Sequence, residues 1–183
     1  MRSLCPGSGR SQEFIEILKH TGALPEHEDI LSKALCYDLD LVCHGHLRTI
    51  IRNIKHSQTK ANSITILEFT TLGRHVSHLS PLYLICAVPC LEDDSGSGKR
   101  TLAPLQTSLQ HIIGLLSDSS FEIKSVCDVS LMHAEELRKR GRNRAIRKGM
   151  ERWHKERLLW AWETALLTEG HLVRWQVCCT CPR

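Results

Sequence analysis

Apolar residues recur at helical spacing along most of this chain, and in a few stretches the spacing switches to a period of two. Phe14, Ile15 and Leu18 share a face of a helix that starts at Ser11 or Gln12 and ends at His20, with Gly22 as its stop. Pro25 opens a second helix. Glu26, Glu28 and Asp29 suit its positive end, and Ile30, Leu31, Ala34 and Leu35 form its stripe. Leu47, Ile50, Ile51 and Ile54 follow at i, i+3, i+4 and i+7 and predict a third helix, with Arg48, Arg52 and Lys55 on another face. The period then changes. In Ser63–Thr71, Ile64, Ile66 and Glu68 alternate with Thr65, Leu67 and Phe69, as in a strand. Leu82–Val88 is a continuous apolar run closed by Pro89, which predicts a buried strand. Pro104 begins a helix striped by Leu105, Leu109, Ile112, Ile113 and Leu116. Phe121–Val129 alternates as a third strand, and a long helix follows over 131–169.

These elements predict an α+β fold: a small three-stranded sheet with helices, preceded by an N-terminal helical region and ending in a long basic amphipathic helix. The helix at 104–116 crosses between strands two and three. Residues 1–10, punctuated by Pro6, Gly7 and Gly9, are expected to be disordered. Residues 11–169 form a single domain, and 170–183 a Cys-containing tail, itself expected to be disordered with exposed thiols.

Charge singles out one stretch. Arg138 to Arg157 holds ten basic and two acidic residues, a net +8 within a chain of +4, so the remainder sums to −4. Seven of the ten are Arg, whose planar fork bonds two phosphate oxygens at once. On a helical wheel, Ile146, Met150, Trp153, Trp160 and Leu167 form an apolar stripe, and Arg140, Arg144, Arg147, Lys148 and Lys155 lie opposite. Gly141 and Gly149 each cost roughly 1 kcal/mol against Ala and favour a bend. Two functions suit this helix. In the leading one, Arg140, Arg144, Arg147, Lys148, Arg152 and Lys155 contact the phosphates of a nucleic acid, without catalysis. In the alternative, Ile146, Met150, Trp153, Trp160 and Leu167 dock into a partner protein's groove. The same basic run would serve as a nuclear-import signal, which gives the nucleus or the cytoplasm as the expected location.

Composition adds less. Hydrophobic content of 42% supports a real core, and aromatics reach only 5%. Eleven His and nine Cys are many for a housekeeping enzyme and would fit a small viral accessory protein. No apolar run approaches about 18 residues, so no membrane-spanning helix is expected. The N-terminus has no secretory h-region, which makes a reducing, intracellular setting the default. An odd number of Cys leaves at least one thiol unpaired.

Three constellations invite chemistry. Cys36, Cys43, His44 and His46 have the types and C-x6-C-H-x-H spacing of weak zinc candidates, with Cys36, Cys43 and His46 converging if the stretch is helical. Cys178, Cys179 and Cys181 beside a Trp-rich basic helix could carry a lipid. Ser95–Thr101 (SGSGKRT) has the look of a phosphate loop, yet Asp93 and Arg100 stand where that pattern needs Gly and Ser or Thr. None completes its pattern. The sequence therefore leads us to expect no metal, no cofactor, no enzymatic activity, no small-molecule ligand and no membrane-surface partner.

Overall fold

The computed structural model describes residues 35–41, 44–57, 63–87, 107–143 and 150–181. Four strands, β1 (Leu35–Asp38), β2 (Ile64–Leu72), β3 (Glu122–Asp128) and β4 (Leu172–Thr180), form one mixed sheet in the order β1-β2-β4-β3. β1 and β2 run parallel, with Leu35 beside Thr65 and Asp38 beside Glu68. β4 runs antiparallel to both β2 and β3. Five helices are described: α1 (Leu47–Ser57), α2 (Pro81–Ala87), α3 (Leu109–Asp118), α4 (Ser130–Asn143) and α5 (Met150–Thr168).

Side chains alternate across the sheet and divide the core in two. On one face Leu67, Phe69, Val177 and Cys179 pack against Ile51 and Ile54 of α1 and Ile112 and Leu116 of α3. At one end of the other face, Leu172 joins Leu137 of α4, Leu166 and Leu167 of α5, and Cys86 and Ala87 of α2. Helices thus cover both faces, as in doubly wound α/β architectures.

The expected third helix is present as α1, and the strands expected at 63–71 and 121–129 are β2 and β3. The expected three-stranded α+β sheet lacks β1, whose Leu35 was expected on a helix stripe, and is wrong in two further places. First, Leu82–Val88 is no strand: Pro81–Ala87 is helix α2. A short apolar run reads equally as strand or helix, and Pro81 at the first helical position decides it. Cys86 and Ala87 are buried, Leu84 and Ile85 are exposed, and the Trp162 indole donates to the Ile85 carbonyl at 3.2 Å. Second, the expected disordered tail holds β4, an interior strand with Val177, Cys178 and Cys179 wholly buried. Gly170, at φ +72°, ends α5 in the left-handed conformation that glycine adopts without strain, and the Gly170 and His171 amides donate to the carbonyls of Leu167 and Leu166. The chain then turns directly into β4. The long helix expected over 131–169 is described as two helices, α4 and α5, and residues 144–149 lie outside the described residues. So do the first expected helix and all of the second but Leu35.

One polar cluster ties the strands together. The Arg174 guanidinium on β4, 3% exposed, reaches Asp38 at 3.2 Å, Glu68 at 3.0 Å and Asp40. Asp40, in a short 3-10 turn after β1, accepts from the Thr70 amide at 2.7 Å and the Thr70 hydroxyl at 2.6 Å. Gln176 donates to Glu68 at 2.8 Å. Burial alone would lower the pKa of Arg174, but Asp38, Asp40 and Glu68 outweigh it and hold the guanidinium firmly charged. Burial pushes the Asp40 carboxyl up, against the pull of Arg174 and with a push from Asp38.

Replacing Arg174 by Met strands buried carboxylates. It should cost about 3–5 kcal/mol in urea unfolding, with Arg174→Lys costing less because it keeps a charge. A loss below about 1 kcal/mol for Arg174→Met would contradict this role of the cluster.

Candidate functional site

In open α/β sheets the ligand crevice lies beyond the carboxyl ends of the parallel strands, where backbone groups and loop side chains converge. Here that edge carries a cleft of about 830 Å³. The end of β2 supplies Thr71, Leu72, Gly73 and Arg74, and the end of β3 supplies Asp128. The antiparallel β4 contributes Val173 and Trp175 from its beginning, and the first turn of α3 contributes Ser108 and His111. His78, in the loop after β2, and Thr107 and Gln110 add to the polar lining.

Local bonds fix several of these groups. The Trp175 indole N–H donates to Thr71 Oγ1 at 2.9 Å, which sets the ring across the β2–β4 pair. Asp128 accepts from the Ser130 amide at 2.9 Å and from the Ser130 hydroxyl, and so pins the first residue of α4. Ser130 Oγ in turn accepts from the Arg174 amide at 2.9 Å, which joins the cleft to the buried ionic cluster. Ser108 caps α3 by accepting from the His111 amide. His75 and His171 meet at 2.7 Å and clasp the loop after β2 to the start of β4.

Gly73 allows this closure. Its amide donates to the His171 carbonyl at 2.8 Å, and a Cβ at residue 73 would stand 2.0 Å from the Gly170 carbonyl oxygen. Two backbones touch there, so no side chain fits.

The residues singled out by sequence lie elsewhere. Trp160 and Leu167, expected to face a partner protein, belong to the protein's own core: Leu167 is buried in the second cluster and Trp160 packs against it. Arg140 is on α4, and Met150, Arg152, Trp153 and Lys155 are on α5. Arg144, Ile146, Arg147 and Lys148 lie outside the described residues, as does the Ser95–Thr101 loop. Cys36 is half-buried on strand β1 and His46 is exposed at the end of a second 3-10 turn, while Cys43 lies outside the described residues. The single helix needed to converge these three is absent from the described residues. Among those residues no group of three or more His, Cys, Asp or Glu could hold a metal ion. Cys178 and Cys179, considered as lipid acceptors, are buried in β4, where burial pushes their thiols up to about 11 and about 12. No described helix is long and apolar enough to cross a membrane.

No family model matches the chain, and no curated protein sequence does. Solved structures do match. A phosphoethanolamine N-methyltransferase from Haemonchus contortus, in complex with phosphomonomethylethanolamine and S-adenosylhomocysteine, aligns over 82% of this chain and 34% of its own, with a TM-score of 0.56 and 10% identity. The cyclopropane synthase MmaA2 of Mycobacterium tuberculosis aligns over 81% of this chain and 55% of its own, at 0.58 and 9%. A geranyl diphosphate C-methyltransferase from Streptomyces coelicolor, with geranyl diphosphate and S-adenosylhomocysteine, aligns over 81% and 46%, at 0.51 and 7%. The chain shares the fold of these proteins, a mixed sheet with helices on both faces. The chain spans between about a third and just over half the length of these matched proteins.

This likeness overturns the expected α+β class and, with it, the expectation of a non-enzymatic nucleic-acid-binding protein or docking adaptor. The matched proteins are enzymes, and two are named with bound small molecules, which also removes the ground for expecting no small-molecule ligand. The misreading has a physical origin. A basic run dominates the charge pattern, whereas the cleft gathers residues from four separated segments. The one signal that could have pointed here is Gly73, directly after an alternating strand, where a glycine permits backbones to approach closely.

Gly73→Ala should lower the thermal melting point and cost at least about 1–3 kcal/mol, because backbone on both sides has to shift. A melting point unchanged from that of the wild type would contradict the close contact of Gly73 with Gly170.

Proposed function

We propose that this chain acts in methyl transfer to a small molecule, and that the described residues form the acceptor side of the site. The observation that carries the reading is the position of the cleft: it opens at the carboxyl ends of β2 and β3 in a methyltransferase-type sheet. Its volume falls within the range of small-molecule sites, and its lining mixes an indole with a few convergent polar groups.

The fold implies S-adenosylmethionine as methyl donor. Doubly wound folds hold a nucleotide cofactor at a glycine-rich turn between a strand and a helix. Among the described residues, β1 runs into Leu39-Asp40, β2 into Gly73-Arg74 and β3 into Val129-Ser130. Gly73 is the glycine at these ends, and Gly170 backbone fills the space beside it. The described residues therefore do not fit the donor's nucleoside.

What this chain's residues do is bind and orient. Trp175, held by Thr71, offers a flat apolar wall. Arg74 offers a guanidinium fork, and the imidazoles of His78 and His111 offer nitrogens that donate or accept hydrogen bonds. Asp128, fixed by Ser130, holds the rim of α4 in place.

The test is transfer of label from methyl-tritiated S-adenosylmethionine, by the full chain, to a pool of small acids, amines and phosphate esters, with RNA and protein as rival acceptors. Label should enter the small-molecule fraction, and Trp175→Ala should lower kcat/KM for the acceptor at least about tenfold, the loss of roughly 1.4 kcal/mol of binding in the transition state. No transfer, transfer to RNA or protein, or transfer indifferent to Trp175→Ala would each overturn the reading.

A further inference from the structure

A second hollow backs onto the first. It measures about 710 Å³ and is lined by the start of α4, the end of α5 and the first residues of β4. Its walls are mostly apolar: Val129, Leu131, Met132, Leu167 and Leu172. Asp128 and Val173 line both hollows and form a common rim. The register explains this. Asp128 pairs with Trp175 across β3 and β4, and Val173 pairs with Thr71 across β4 and β2, so one edge of the sheet separates the two spaces.

Their chemistries differ. The first hollow is lined by Arg74, His78 and His111 and by one described carboxylate, Asp128, which is engaged by Ser130. Among the described residues the second has no Lys, Arg or His on its wall. Leu131 stands over it 70% exposed, unburied by the protein's own core. Neighbouring polar and apolar hollows that share a rim suit a ligand with the same division.

We propose that the two hollows take one amphipathic molecule. Its acidic head, a phosphate or carboxylate, lies among Arg74, His78 and His111, and its hydrocarbon chain crosses the Asp128–Val173 rim onto Leu131, Met132 and Leu172. This inference rests on reading the first hollow as the acceptor site, and it names the acceptor's class. Arg binds an acidic head through paired hydrogen bonds, and each methylene covered adds to affinity at about 0.8 kcal/mol when fully buried.

The experiment is calorimetric titration of the full chain with decyl phosphate, methyl phosphate and decanol. Decyl phosphate should bind at least about 30-fold more tightly than methyl phosphate, a modest part of what nine extra methylenes could give. Leu131→Asp, at an exposed position, should bring decyl phosphate close to methyl phosphate and leave methyl phosphate unchanged. Arg74→Ala should weaken both phosphates and leave decanol unchanged. Equal affinity for the two phosphates would overturn the proposed chain site and leave the acceptor reading standing. Decyl phosphate binding that ignores both substitutions would place the molecule elsewhere and overturn it too. Methyl transfer that ignores Trp175→Ala is the separate result that would remove the acceptor reading itself.

Discussion

A single buried guanidinium holds this fold in register. Arg174 on β4 bonds to Glu68 on the neighbouring β2, to Asp38 at the end of β1 and to Asp40 just beyond it. Three carboxylates around one cation are expensive to bury, and their hydrogen bonds to Thr70 and Gln176 offset part of that cost. A slip of one residue in β4 would put Arg174 on the opposite face, among Leu67, Phe69 and Val177, and Val173 or Trp175 among the carboxylates. Register and charge pairing therefore enforce each other.

That register also places the cleft. With Arg174 fixed, Val173 and Trp175 point to the other face at the carboxyl end of β2, and the Arg174 amide meets Ser130, whose own partner is Asp128. The path from buried charge to cleft rim is thus Arg174, Ser130, Asp128. The close contact of Gly73 with Gly170 and the His75–His171 pair close the same end from the loop side. The proposed acceptor site is built by the elements that stabilise the sheet, with few residues held for binding alone.

Periodicity made the regular elements legible. The stripe at Leu47–Ile54 and the alternation at Ile64–Phe69 and Phe121–Val129 each became the expected element. The reading failed where buried polar side chains interrupt the apolar pattern. In Leu172–Thr180, Arg174 and Gln176 sit at inward positions and break the apolar alternation, because their partners come from strands about 100 residues earlier. Local pattern carries no trace of such partners. The site was illegible for a related reason: Thr71, His111, Asp128 and Trp175 are unremarkable one by one and meet only through the β1-β2-β4-β3 order. The basic run at 138–157, by contrast, is conspicuous in sequence, and none of its described side chains lines the cleft.

The account depends most on β4 lying inside the sheet between β2 and β3. Peptide-resolved hydrogen–deuterium exchange on residues 172–180 tests this directly. The account predicts that these amides exchange as slowly as those of β2, opening only with global unfolding. Exchange complete within seconds, as for a free tail, would contradict the sheet order and with it the cleft and the function proposed for it.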